Sequence, residues 1–149
     1  MFGEEIMAAA NAAKGKYGLL KTNPGGYFLA SMLAGVFIGF GVLLAFTAGG
    51  LLTGNPFSKI VMGCTFGIAL SLVVIAGAEL FTGNNLVMTA GAARKTVSVG
   101  ACFKVWGMSY LGNLAGSILL AVIFVACGLA SGSTGEFISS AAETKMTLS

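Results

Sequence analysis

Histidine is absent from this 149-residue chain, and charge is scarce: eight basic and five acidic side chains make up 9% of it. Three cysteines, Cys64, Cys102 and Cys127, stand far apart with no CxxC pair. Zinc and haem sites therefore lack their usual ligands, and the cysteines read as small apolar fillers of helix contacts. Without histidine, an activated nucleophile or paired carboxylates, an enzyme is the weakest reading, and no cofactor is called for. A net charge of +3 with no dense basic stripe argues against nucleic acid. Period-2 alternation is missing, which argues against a membrane barrel. The opening "MFGEEIMAAANAAKGK" is acidic at its start, and the first strong apolar run begins only near Tyr27, so it is no secretory signal.

What the chain does have is apolar surface. It is 56% hydrophobic with a mean hydropathy of +0.93. A soluble domain carries roughly 25% charged residues, so this composition points to an all-α multi-pass membrane protein. At about 20 residues per crossing there is room for three spans. No charge falls between Lys21 and Lys59, and within that gap a first helix is expected over 27–48. The glycines, Asn55 and Pro56 of "GGLLTGNPF" mark a turn after it. A second span is expected over 60–79 and a third over 105–130, the latter stopped by "SGSTGE". Ahead of them Phe2, Ile6, Ala9, Ala10 and Ala13 recur at helical spacing, which fits either a short amphipathic helix on the membrane surface or a frayed tail.

Orientation follows from the basic residues of the short loops. Lys14, Lys16 and Lys21 precede the first span and only Lys59 follows it; Arg94, Lys95 and Lys104 separate the second from the third, and Lys145 comes last. The N-terminus and the loop after the second span are thereby cytoplasmic, and the tail after the third lies outside. Each span also holds glycines four apart: Gly35 and Gly39, Gly63 and Gly67, Gly112 and Gly116. Such pairs let helix backbones approach closely. Asn113, within the third span, is expected to seek a partner on another helix.

One stretch breaks the pattern. "AGAELFTGNN", residues 76–85, sets Glu79, Thr82, Asn84 and Asn85 at the end of a long apolar run. Gly77 and Gly83 weaken a helix there. Either the helix ends near Glu79 and a loop follows, or the span is interrupted and resumes at "LVMTAGAA". Irregular backbone at membrane depth needs protein around it or a water-filled cavity beside it.

"AGAELFTGNNLVMT", with "MGCTFGIALSLVVI" before it and "WGMSYLGNLAGS" after it, resembles the formate/nitrite transporter family, as does "NPGGYFLASMLAGVFIGFG" at the first span. The likeness runs from about Asn11 to Ser140, and its spelling is nearest the nitrite branch. It implies a channel of the bacterial inner membrane for small monovalent anions, nitrite first, then formate or hydrosulfide. It also implies a homo-pentamer of aquaporin-like protomers, each with six helices in two inverted three-helix repeats and a broken second helix. The run of polar residues in an apolar span leads residues 80–86 to be expected as non-helical and facing a cavity, and on the family pattern the loop at "LFTG" lines the pore. Leu80 forms part of a greasy constriction and Thr82 offers a hydroxyl to the anion, with the amides of Asn84 and Asn85 close by. Glu79 is structural, bonded to backbone at the break between Gly77 and Gly83. Lys14, Lys16 and Lys21 are the candidates for drawing anions in, or else three solvated lysines.

The resemblance divides the chain into a cytoplasmic segment over 1–26, a three-span repeat over 27–135, and over 136–149 the start of a connection to a second repeat. That second repeat normally brings another broken helix and a pore histidine. Glu79 is the sole ionisable group inside the expected spans, so proton relay is not assigned to this half. The rival reading is a non-transporting membrane scaffold that retains only the first repeat.

Overall fold

The computed structural model describes residues 2–147, so the last two positions of the tail expected outside the membrane fall beyond it. Six helices follow one another: α1 (Phe2–Thr22), α2 (Pro24–Leu51), α3 (Ser58–Ala76), α4 (Phe81–Ala93), α5 (Val99–Ala126) and α6 (Gly132–Thr147). Of these α2, α3 and α5 are long and apolar enough to cross a membrane. At 1.5 Å per residue α3, the shortest of the three, extends about 28 Å, close to the ~30 Å hydrocarbon core.

Local chemistry explains where the helices begin and end. Asn23 stands between α1 and α2, and its side-chain Oδ1 accepts the Gly26 N–H at 2.9 Å. Pro24 follows at the first helical position, where its missing N–H costs nothing. The first span thus starts three residues before the expected 27, and it ends at Leu51 because Gly49 and Gly50 are still helical. Ser98 accepts the Ala101 N–H at 3.2 Å and starts α5 at Val99, six residues ahead of the expected 105. That helix closes at Gly128 (φ 73°), with the Leu129 N–H reaching the Phe124 carbonyl at 3.2 Å and the Gly128 N–H reaching Val125 at 2.9 Å. The same double bond ends α4 around Lys95 (φ 57°), from Thr96 to Gly91 at 2.8 Å and from Lys95 to Ala92 at 3.0 Å.

The helices form two compact units. One comprises residues up to Gly35 together with Ala76–Gly116. Its core gathers Ala13 and Leu20 of α1, Tyr27 of α2, Met88 of α4, and Ala101, Cys102 and Val105 of α5. The N-terminal segment is therefore no frayed tail. It is a helix longer than its apolar stripe suggested, and it buries Ala10, Ala13 and Leu20. The Thr96 hydroxyl pins it by donating to the Ala10 carbonyl at 2.7 Å. Cys102 is buried, as a filler would be, and its thiol donates to the Met88 carbonyl at 3.4 Å. Cys64 and Cys127, by contrast, lie exposed on this chain.

The other unit comprises Val36–Ile75 and the residues from Ser117 onward. There Phe46 and Phe137 meet edge to face at 5.7 Å between ring centroids. A methyl group at Gly50 would come 2.6 Å from the Ser133 carbonyl oxygen and 2.9 Å from the Thr134 Cα, so glycine there lets α2 lie that close to α6.

The three glycine pairs fare differently. Gly35, Gly112 and Gly116 sit against the backbone or Cβ of Asn113, Ser31 and Met32, and a Cβ at Gly39 would come 2.7 Å from Leu120. These glycines let α2 and α5 touch within each unit. A Cβ at Gly63 or Gly67 of α3 would meet no neighbouring helix or side chain within 4 Å.

Candidate functional site

The first unit holds the polar stretch singled out above. Helix α3 stops because Gly77 turns into the left-handed region at φ 62°, a conformation that costs a side-chain-bearing residue about 1–2 kcal/mol. Ala78–Leu80 are non-helical, and α4 starts at Phe81 with Leu80, extended at φ −81°, ψ 127°, as its cap residue. This corrects the expectation for 80–86. The non-helical backbone is 77–80, and Thr82, Gly83, Asn84 and Asn85 lie in the first turns of α4. The first N–H groups of a helix have no intrahelical acceptor, so residues of low helix propensity are tolerated there. The second span likewise ends at Ala76 and not at 79.

Several backbone groups of the interruption are bound across to other helices or within the segment, where the Leu80 N–H donates to the Ala78 carbonyl at 3.1 Å. The Glu79 N–H donates to the Ala30 carbonyl of α2 at 3.2 Å. Asn113 of α5 holds both sides of Leu80: its Oδ1 accepts the Phe81 N–H at 2.9 Å, while Nδ2 donates to the Glu79 carbonyl at 3.0 Å and the Ser31 carbonyl at 2.8 Å. Asn113 is thus the inter-helix partner-seeker that its position in the third span suggested.

The Glu79 side chain does not bind backbone, as had been expected of it. It is buried, and its two oxygens accept from Lys16 Nζ at 2.9 and 2.8 Å. The Tyr27 hydroxyl donates to Oε2 at 2.9 Å and accepts from Asn84 Nδ2 at 2.9 Å. The Asn84 carbonyl in turn accepts the Trp106 indole N–H at 3.2 Å. Lys16 and Glu79 cancel in charge, and a chain of four side chains ties α1, α2 and α4 to the interruption. Among the described residues, no buried side-chain nitrogen or oxygen lacks a hydrogen-bond partner. Separating the ions would leave a desolvated charge, a loss of roughly 3–5 kcal/mol for a buried pair.

Of the residues singled out from sequence, the structure brings Lys16, Glu79 and Asn84 into this network. Leu80 is half-buried beside it, Asn85 is half-buried in α4, and Thr82 and Gly83 are exposed. Lys14 and Lys21 are exposed, with the Lys21 ammonium 5.9 Å from the centre of the Tyr17 ring. Sequence reasoning missed Tyr27 and did not separate Lys16 from its neighbours. A signal for Lys16 existed: carried past Ala10 and Ala13 at helical spacing, the apolar stripe of α1 reaches position 16 and then Leu20. Among the described residues no group of histidine, cysteine or carboxylate side chains could hold a metal ion.

A helical membrane protein, with a polar interruption neutralised and tied down among apolar helices, is the class these features define. The family model described as "Formate/nitrite transporter" matches residues 4–149, and the chain belongs to that family. It is 43% identical over 125 residues to the nitrite transporter NirC of Salmonella typhimurium, covering 83% of this chain and 46% of that protein. Identity to an uncharacterised transporter, YwcJ, of Bacillus subtilis is 39% over 123 residues, 80% of this chain and 48% of that protein. A solved structure titled "FNT family ion channel" superposes with a TM-score of 0.81 at 40% identity, over 85% of this chain and 51% of that one. The chain spans about half the length of the curated relatives it matches.

Proposed function

We propose that this chain supplies one wall of a transmembrane pathway for small monovalent anions, with nitrite the first cargo to test and formate or hydrosulfide next. The observation that carries the reading is the interruption at 77–80, where the peptide groups flanking Leu80 are bound by Asn113 and the Glu79 charge by Lys16. A naked carboxylate beside an anion path would repel the cargo. Here Lys16 neutralises Glu79 and holds it among protein groups. Leu80 then offers an apolar side chain, and Thr82 offers an exposed hydroxyl in the first turn of α4, at the positive end of its dipole. An apolar gate next to one hydrogen-bond donor suits a weakly hydrated anion that must enter and leave. Asn85, half-buried one turn on, adds an amide. The match to NirC proteins supports nitrite.

On this reading α3 and α4 form the interrupted second crossing of a three-span repeat. A second repeat of inverted topology completes the protomer, and five protomers assemble in the bacterial inner membrane. The N-terminus is cytoplasmic, as the basic residues before α2 and between α4 and α5 argue. The test is flux. The full-length protein in proteoliposomes should admit nitrite, formate and hydrosulfide and exclude bulkier monovalent anions such as gluconate. Liposomes no more permeable to nitrite than protein-free controls would defeat the proposal.

A further inference from the structure

We propose that Asn113 is the positioning residue of the pathway: one side-chain amide clamps the 77–80 interruption in the conformation that presents Leu80. This rests on the function proposed above. The three partners of Asn113 are all backbone groups, and they lie on both flanks of Leu80 and on α2: the Glu79 carbonyl, the Phe81 N–H and the Ser31 carbonyl. Phe81 can only donate and the two carbonyls can only accept, so the orientation of the amide is dictated by its partners. Both peptide units that border Leu80 are therefore gripped by the same side chain, which leaves Leu80 little freedom in φ and ψ. No residue type other than asparagine or glutamine presents an acceptor and two donor hydrogens on so short a planar group.

The surroundings bring that amide within reach. Gly35 and Gly112 let α2 and α5 close to backbone contact on either side of Asn113, against Asn113 itself and against Ser31. The usual way to begin a helix is a side-chain cap from its own cap residue. Leu80, the cap residue of α4, makes no such bond. Asn113 supplies the missing cap from 32 positions further along the chain. A residue placed for packing alone needs no such match to three backbone groups.

The clamp is tested by backbone hydrogen exchange and by selectivity in the full-length protein, reconstituted in proteoliposomes. In the unaltered protein the Phe81 amide should exchange at least tenfold more slowly than those of Thr82 and Gly83, which have no carbonyl of α4 to reach. Asn113→Leu, alike in branching but without the amide, should raise exchange at Glu79, Leu80 and Phe81 at least tenfold. Exchange in α1 and in the rest of α5 should stay unchanged. The same variant should narrow the nitrite-to-gluconate flux ratio several-fold, and Asn113→Gln should restore part of both. Asn113→Asp keeps the acceptor for Phe81 and loses both donors, so it should disturb the segment as well; it carries the test if the leucine variant does not assemble. If Phe81 exchanges as fast as Thr82 in the unaltered protein, the clamp is overturned. It is equally overturned if exchange rises uniformly through the variant, or if the segment loosens while selectivity holds in a protein where Leu80→Ala relaxes it. If Leu80→Ala itself changes nothing, the pathway reading fails, and the exchange data decide the clamp alone.

Discussion

Lys16 and Glu79 hold each other across 63 positions of sequence, and at the scale of single residues this pair decides more than any other. The lysine side chain is 23% exposed and the glutamate 9%, so neither ion has enough water around it to stand alone. Lys16→Met should therefore destabilise the detergent-solubilised protein by about 3–5 kcal/mol, read from denaturant unfolding. Lys14→Met and Lys21→Met, both exposed, should stay within about 0.5 kcal/mol of the parent. Adding Glu79→Gln to Lys16→Met should recover part of the loss, because the double variant no longer buries a lone carboxylate. Equal effects from all three lysines would return Lys16 to the solvated set. The sequence marked three lysines before the first span without separating them. Their number and position satisfy a loop-charge rule, whereas the carboxylate that selects one of them lies in another helix.

Among the elements, the interruption shows what a sequence reveals and what it leaves unplaced. Its existence was legible, because Glu79, Thr82, Asn84 and Asn85 are costly inside an apolar run unless the backbone does something other than continue. Its position was not. Gly77 and Gly83 look alike in the sequence, yet Gly77 alone sits at positive φ, while Gly83 lies inside α4. The difference comes from Asn113, Ala30 and Tyr27, which are remote in sequence and hold one end of the segment. Neither glycine has an atom within 4 Å of where a Cβ would stand, so substitution reads backbone conformation directly. Gly77→Ala should cost about 1–2 kcal/mol, and Gly83→Ala should be neutral or stabilising by up to about 1 kcal/mol. Thermal unfolding of the two variants side by side checks this, and the reverse order would contradict the placement of the break. The ends of α2 and α5 were displaced for a related reason. Asn23 and Ser98 cap their helices beyond the apolar runs, and hydropathy does not register caps.

For the whole molecule, the three apolar helices and their order were legible from hydropathy, and the family from short motifs. The division into two units was not, since it depends on which faces of α2 and α5 meet other helices. With Cys64 and Cys127 replaced by serine, an impermeant maleimide added outside intact cells should label Asn55→Cys in the α2–α3 turn. Lys95→Cys should be spared until the membrane is opened. Labelling in the opposite sense would invert the proposed orientation. The central claim is that the interruption borders an anion path, and nitrite flux into proteoliposomes of the full-length protein carrying Leu80→Ala or Thr82→Val tests it most directly. Leu80→Ala should admit bulkier anions, and Thr82→Val, alike in shape but without the hydroxyl, should slow nitrite about tenfold while the assembled protein keeps its size. Parental rates and selectivity in both variants would show that Leu80 and Thr82 only pack, and would contradict the account.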